Sequence, residues 1–140
     1  MPTPEWCSWF AGLVDGEGCF LIHSVHGRWC AAKLVINMRA DDRPMLEEIR
    51  KELGFGSLTF RPRSHGNGKP TLVYQVSKAS ELLALVHLFD RSPLRSRKRK
   101  DYEVWRTFVL LHQSRHNATD PRIEALLHEI KAVRVYEDPS

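Results

Sequence analysis

Hydrophobic and polar positions follow two different periods along this chain, and the periods predict an ordered series of helices and strands. Residues 5–15 are almost all apolar or small, which predicts a short helix buried on more than one side. We expect the helix to end within residues 15–18, where two glycines permit backbone angles that stop a helix. Residues 19–26 and 29–39 have strand-like alternation and predict a hairpin with its tip at 27–28.

The pattern continues through the rest of the chain and completes one α+β unit. Gly54 is expected to end the second helix, and Asp41 or Asp42 to cap its start. The predicted order is αββαββα followed by a C-terminal helix, in a single domain over 1–140 with its core at about 5–115 and the last helix at about 120–136. The remaining predicted elements are helix 41–53, strand 56–63, a hairpin tip at 64–70, strand 71–77, helices 79–89 and 96–115, a linker at 117–121, and helix 121–135.

The predicted sheet has one apolar face and one basic, hydrated face. In the second strand Leu34, Ile36 and Met38 share one side, because successive side chains of a strand point to opposite faces. The polar residues lie between them, on the other side. A curved antiparallel sheet with one wet face is expected, and we call the side opposite the apolar residues the open face.

The distribution of charged residues along the chain predicts what the open face binds. The net charge is +4 and the sequence pI is near 9.1. Residues 18–40 and 53–80 contain no Asp or Glu, and residues 91–100 contain six Lys or Arg and no acid. This distribution predicts a surface that binds a polyanion such as a nucleic acid.

The sequence Phe10-Ala11-Gly12-Leu13-Val14-Asp15-Gly16-Glu17-Gly18 carries the most specific signal. It resembles the signature of the LAGLIDADG homing endonuclease family, and the similarity extends to residues 53–56 and 93–102. The resemblance implies a site-specific endonuclease that makes metal-dependent double-strand breaks in a long pseudo-palindromic DNA target. One motif in the chain implies a homodimer, with an interface at Trp9, Ala11, Gly12 and Leu13.

The resemblance also assigns the chemistry. Glu17 is implied as catalytic metal ligand, assisted by the carbonyl of Gly16, with Mg²⁺ as cofactor, Mn²⁺ as a substitute, and Ca²⁺ binding without supporting cleavage. Arg97 and Lys98 match the basic residues that flank the metal, and Asp15 is expected to cap the helix end. Residues 1–27 contain no Lys or Arg, so these carboxylates are left free for a hard divalent cation.

One position departs from the family pattern. Members often have Gln near the end of the second strand, and the matching position here is Met38, with Asn37 and Arg39 beside it. The role of positioning water is therefore unassigned, which favours, as an alternative, a non-cleaving DNA-binding regulator or an RNA maturase of the same fold.

The open face is expected to read DNA in the major groove, where Arg pairs with guanine and Asn or Gln with adenine. A register slip of one residue would exchange the whole set. The predicted DNA-binding residues are His23, Lys33, Asn37, Arg39, Ser57, Thr59, Arg61, Arg63, Gln75, Arg95 and Lys100.

Other classes of protein fit less well. Three cysteines are too few for a disulfide framework, and Cys19, His23 and Cys30 lack the spacing of a zinc site. The sequence has no apolar run long enough for a membrane span and no signal-peptide pattern at Met1. We therefore expect an intracellular protein, in a bacterial cytoplasm or an organelle matrix.

Overall fold

The computed structural model describes residues 2–25, 29–62, 68–111, 116–117 and 121–133. The predicted αββαββα order is confirmed, with a short strand and a helix after it. The elements are α1 (Pro4–Glu17), β1 (Gly18–Val25), β2 (Trp29–Arg39), α2 (Arg43–Leu53), β3 (Ser57–Arg61), β4 (Thr71–Val76), α3 (Ala79–Arg91), α4 (Lys98–Leu111), β5 (His116–Asn117) and α5 (Pro121–Val133).

The strands form one antiparallel sheet in the order β1-β2-β4-β3, and β5 pairs with the beginning of β2. The helices pack on one face of this sheet. Phe10 of α1, Phe89 of α3 and Trp105 of α4 are buried in the same core as Phe20 and Leu34 of the strands. The predicted apolar face is therefore the core face, and the described helices that enclose this core lie on that side.

Aromatic side chains fix α4 against the sheet. The Phe20 ring contacts those of Phe89, Tyr102 and Trp105, with centroids 5.7, 5.3 and 5.0 Å away. The Trp105 indole Nε1 donates a hydrogen bond of 3.2 Å to the backbone carbonyl of Lys33 in β2. This bond joins α4, whose first turn is rich in Lys and Arg, directly to the inner strand β2 of the sheet.

Helix α1 ends within the predicted stretch 15–18, but not through unusual backbone angles at its glycines. The helix runs through Gly16 and ends with Glu17, because Gly18 leaves helical geometry with φ −79° and ψ 158°. Those angles are open to any residue, so glycine is needed here for space rather than for conformation. A Cβ at Gly18 would lie 2.6 Å from Cγ1 of the buried Val14 side chain.

The predicted cap of α2 was also wrong. Asp42 occupies the N-cap position without a side-chain capping hydrogen bond, and Asp41 pairs with Arg39 instead. A 3₁₀ turn at Ala40–Asp42 precedes the helix and leads the chain into it in place of a cap. Gly54 ends α2 as expected, in the left-handed conformation with φ +80°.

Further differences concern element ends. Helix α4 begins at Lys98 rather than at residue 96 and is described as far as Leu111, and β5 overlaps the predicted linker only at Asn117. The predicted hairpin tip at 27–28, residues 64–67 of the second tip, residues 112–115 and Arg63 lie outside the described residues. None of the described helices combines the length and apolarity that crossing a membrane requires. The intracellular location stays a prediction.

Candidate active site and nucleic-acid interface

Glu17 occupies the point where α1 passes into β1. It is the last helical residue, and its side chain is exposed. Gly16 beside it is also exposed, and a Cβ there would meet no atom within 4 Å. The carbonyls of a helix's last turn have no intrahelical partner, so the Glu17 carboxylate and the Gly16 carbonyl stand together as accessible oxygen ligands.

Asp15 joins this helix end to the beginning of α4. Its carboxylate accepts hydrogen bonds from the backbone N–H groups of Arg95 (3.0 and 3.1 Å) and Ser96 (2.9 Å), and from the Ser96 hydroxyl (2.7 Å). We call this set of contacts the Asp15–Ser96 link. Asp15 was expected to cap its own helix, and it serves a segment about 80 residues away in sequence.

Electrostatics favour the charged form of Asp15. Partial burial by itself raises the pKa of its carboxyl, but the N–H donors of Ser96 and Arg95, the Ser96 hydroxyl and the nearby Lys98 charge outweigh burial and lower the pKa. The negative charge of Asp15 thus stays in place and holds the 95–96 segment against the end of α1.

The first turn of α4 carries Lys98, Arg99 and Lys100, and Arg97 immediately precedes it. Cations are disfavoured at this end of a helix, because the peptide dipoles already make it positive. Ser96 supports the turn through its hydroxyl, which accepts from the N–H of Lys98 at 3.2 Å. The same turn contains Asp101, and Arg99 pairs with Glu103 at 3.4 Å.

The strand register confirms the predicted open face. Cys19 pairs with Val35, and Val35 pairs with Gln75, so odd-numbered positions of the strands share one side. The next two rows across β2, β4 and β3 are Asn37–Val73–Thr59 and Arg39–Thr71–Arg61. The same face carries Ser57, Lys33 and His23, which pair with Gln75, Leu21 and Ala31 respectively.

Exposure varies along the open face. Asn37, Arg39, Ser57, Thr59 and Arg61 are exposed, whereas Lys33, His23 and Gln75 are half-buried.

His23 has an unusual environment on this face. Burial, followed by the charge of Lys33, lowers the pKa of its imidazole, so the ring is neutral at neutral pH. Its buried Nδ1 atom has no hydrogen-bond partner among the described residues.

An amide side chain, that of Asn37, lies at the position next to Glu17 in the strand register. Gly18 pairs with Ile36, so Glu17 and Asn37 are the next residues along at this end of the two strands. Asn37 lies on the open face, while Met38 packs against the core. The alternation of β2 contains this information, since Met38 shares its parity with the buried Leu34 and Ile36.

The outer face of α1 partly matches the predicted dimer interface. Trp9 is 41% exposed, and Gly12 is exposed, with open space within 4 Å of the point where a Cβ would stand. Ala11, in contrast, is only 3% exposed and belongs to the core of its own chain. Leu13 packs partly against that core. Trp9 and Gly12 are therefore the best-exposed members of the predicted set.

Comparison with known proteins places this fold and site in a family. The profile of the LAGLIDADG endonuclease family matches residues 10–109, which include the second half of α1, the four long strands and most of α4. The chain belongs to the LAGLIDADG endonuclease family. Proteins of this family generally use divalent metals.

Two curated relatives of this LAGLIDADG chain are fungal. An "Uncharacterized 50.9 kDa protein in ND4 intron 1" of Podospora anserina is 30% identical over 120 residues, covering 79% of this chain and 25% of the relative. A "Probable intron-encoded endonuclease Cox1-I1b" of Schizosaccharomyces pombe is 26% identical over 141 residues, covering 94% and 35%. The LAGLIDADG chain thus spans between a quarter and about a third of these relatives.

Solved structures confirm the fold class. The meganuclease I-AabMI bound to uncleaved DNA is 31% identical, with a TM-score of 0.65, covering 75% of this chain and 36% of its own. The archaeal intron-encoded homing endonuclease I-Vdi141I, solved with DNA, has a TM-score of 0.72 at 18% identity, covering 97% and 89%. The second likeness supports the fold alone.

Proposed function

We propose that this chain is a site-specific homing endonuclease that binds double-stranded DNA along its open face and cleaves it at Glu17. The observation that carries the proposal is the position of this exposed carboxylate. It lies where the motif helix ends, next to Asn37 on the open face and close to the basic start of α4 through the Asp15–Ser96 link. A polyanion bound on that face would pass directly over Glu17.

The oxygen donors at this point suit a hard divalent cation. Glu17 and the Gly16 carbonyl are oxygen ligands, and Mg²⁺ prefers such ligands while keeping several waters. Among the described residues no three His, Cys, Asp or Glu side chains form a metal cluster, and in this proposal water and DNA phosphate complete the ligand set. Substitution by Mn²⁺ and binding of Ca²⁺ without cleavage stay predictions.

In this mechanism the acidic, amide and basic residues have different roles. A bound Mg²⁺ would supply Lewis-acid chemistry that activates water and stabilises the leaving oxygen. Glu17 and the Gly16 carbonyl would hold the ion, and Asn37 would orient water through its amide. Arg97 and Lys98 place positive charge against the phosphate that is cut, where preorganised charge stabilises the transition state. Arg95 and Lys100 contact flanking phosphates.

The partner in our proposal is a second copy of the chain. Cutting both DNA strands needs a second carboxylate equivalent to Glu17, and a two-fold axis provides it. The exposed Gly12 and Gly16 let a second α1 approach closely, with Trp9 as an aromatic anchor beside them. A symmetric dimer explains a pseudo-palindromic target.

Analytical ultracentrifugation tests the dimer. Gly12→Leu should shift the protein to monomer, because the added side chain separates the helices. Ala84→Leu on the exposed side of α3 is the matched control and should leave the dimer intact. A Gly12→Leu protein that sediments like wild type would contradict this interface.

Selection from a randomised DNA duplex library tests the activity. Wild type should enrich a two-fold sequence in Ca²⁺ and cut both strands of it in Mg²⁺. Glu17→Gln should bind the same sequence without cutting, because the amide lacks the ligand charge. Glu5→Gln, at the exposed opposite end of α1, is the control and should cut normally.

The outcomes separate the candidate functions. Cleavage retained by Glu17→Gln would refute the assignment of the metal ligand. Selective binding by wild type without cuts would favour the non-cleaving regulator, and selection of RNA in place of DNA would favour the maturase.

A further inference from the structure

Two arginines share one row of the open face but have different surroundings. Arg39 of β2 and Arg61 of β3 both pair in register with Thr71 of β4, one on each side of it. The Nη2 atom of Arg39 lies 2.7 Å from Oδ2 of Asp41. Among the described residues no carboxylate forms an ion pair with Arg61, although its side chain is also exposed on this face.

We propose that Arg39, held by Asp41, reads a guanine in the DNA target, whereas Arg61 contacts a phosphate. The inference rests on the proposed DNA-binding function and adds the base preference of one position in the target. Asp41 is a positioning residue, since it acts only through Arg39.

The carboxylate of Asp41 decides between the two kinds of contact. A phosphate approaching Arg39 meets the negative charge of Asp41 as well, and like charges at close range repel. The O6 and N7 acceptors of guanine are uncharged and escape this repulsion. The guanidinium has several N–H donors, so the bond to Asp41 leaves enough of them for a bidentate contact with guanine.

The same bond orients the Arg39 side chain. The side chains of Arg39 and Asp41 are 58% and 75% exposed, so little else around them fixes the guanidinium. An arginine already held in one orientation loses less freedom when it binds a base edge. Arg61 has no carboxylate partner among the described residues, so its orientation is not fixed and its positive charge is not compensated. An uncompensated positive charge is what attracts a phosphate.

The position of Arg39 places the guanine in the target. Asn37 adjoins Glu17, and Arg39 lies two residues further along β2, about 7 Å away. The half of the target nearer to the cut should therefore contain the guanine, while the opposite end of the sheet, where β1 ends and β2 begins, reaches the outer base pairs.

The experiment compares five proteins by selection from a randomised duplex library in Ca²⁺, followed by affinity measurements at several salt concentrations. They are wild type, Arg39→Ala, Asp41→Asn, Arg61→Ala and Glu47→Gln. Glu47→Gln is the matched control for Asp41→Asn, because it also frees an arginine, Arg43, from an exposed ion pair of 3.4 Å. That pair lies on α2, which packs against the core face of the sheet.

Wild type should prefer guanine at one cut-proximal position by roughly 5- to 150-fold. Arg39→Ala should lose that preference and keep the others. Asp41→Asn should weaken the preference and steepen the dependence of log affinity on log salt by about 0.9, because the freed arginine turns to phosphate. Arg61→Ala should keep the preference, bind all sequences more weakly, and make the salt dependence shallower by about 0.9.

Other results would overturn the inference. Equal weakening of all sequences by Arg39→Ala, loss of the guanine preference in Arg61→Ala, or the same salt response in Glu47→Gln as in Asp41→Asn would each do so. Thermal unfolding curves verify that every variant is folded. Failure of folded wild type to select any DNA would instead refute the proposed function itself, and these two failures are distinguished by the wild-type arm.

Discussion

Asp15 offers a direct test of how the active site is held together. Asp15→Ala removes the acceptor of both N–H groups and of the hydroxyl in the Asp15–Ser96 link. Hydrogen bonds to charged groups contribute about 1.5–3 kcal/mol each when buried, and helix caps about 0.5–2 kcal/mol. Because water can reach these donors, we expect a total loss of about 1–3 kcal/mol, and less for Ser96→Ala, which leaves the backbone donors bonded.

The stabilisation that Asp15 provides should decrease as the pH is lowered. The pKa of Asp15 is lower in the folded chain than in the unfolded chain, where it is about 3.9. Its stabilising contribution is therefore fully present above the unfolded value and is lost as pH falls through the folded value. Asp15→Asn should remove this dependence, so the gap between wild type and variant should narrow below about pH 4.

Thermal unfolding between about pH 3 and pH 7 measures both the loss of stability in the Asp15 variants and its dependence on pH. For 140 residues each kcal/mol moves Tm by about 3 °C, so Asp15→Ala should lower Tm by about 3–10 °C at neutral pH. Asp42→Ala is the control, because Asp42 makes no side-chain capping bond. An unchanged Tm for Asp15→Ala, or a gap that widens in acid, would refute the reasoning. Cleavage should also fall in this variant, since the segment that leads into Lys98 is no longer bonded to the end of α1.

Two further predictions concern the core that supports the site. Gly56→Ala should lower the free energy of unfolding by about 2–5 kcal/mol, because φ is +96° and the new Cβ would lie 2.5 Å from the Tyr74 ring. Gly54→Ala, with φ +80° and open space around the new Cβ, should lower it by only about 1–2 kcal/mol. Urea unfolding of the two variants measures this difference. Trp105→Phe removes the 3.2 Å bond to the Lys33 carbonyl and should lower the urea midpoint by the equivalent of about 1–3 kcal/mol, with no change of fold by circular dichroism.

Several features of the site depend on local sequence, and these were predicted well. The alternation of β2 placed Lys33, Asn37 and Arg39 on the correct side, because a strand has only two faces and the apolar residues occupy one. The same alternation predicted the faces of β3 and β4. The family's Gln was matched to Met38, although the same alternation had already placed Met38 with the core.

Other features depend on contacts between distant segments, and here the prediction was wrong or silent. Nothing near Asp15 indicates that its partner is Ser96, since the contact forms only when α1 and α4 pack on the same sheet. The burial of Ala11 likewise follows from which side of α1 meets the core. The pairing of Asp41 with Arg39, in place of a helix cap, reflects the path of the 3₁₀ turn after β2.

The order of the elements, the two faces of the sheet and the motif that marks the family can all be read from the sequence, because each depends on residues that are close together along the chain. The groups that surround Glu17 are set by the folded molecule. Packing of the helices on one face brings the basic start of α4 to the end of α1, and strand pairing brings Asn37 beside it. Short-range patterns contain no information about either meeting, because both join segments that only the folded sheet holds in contact.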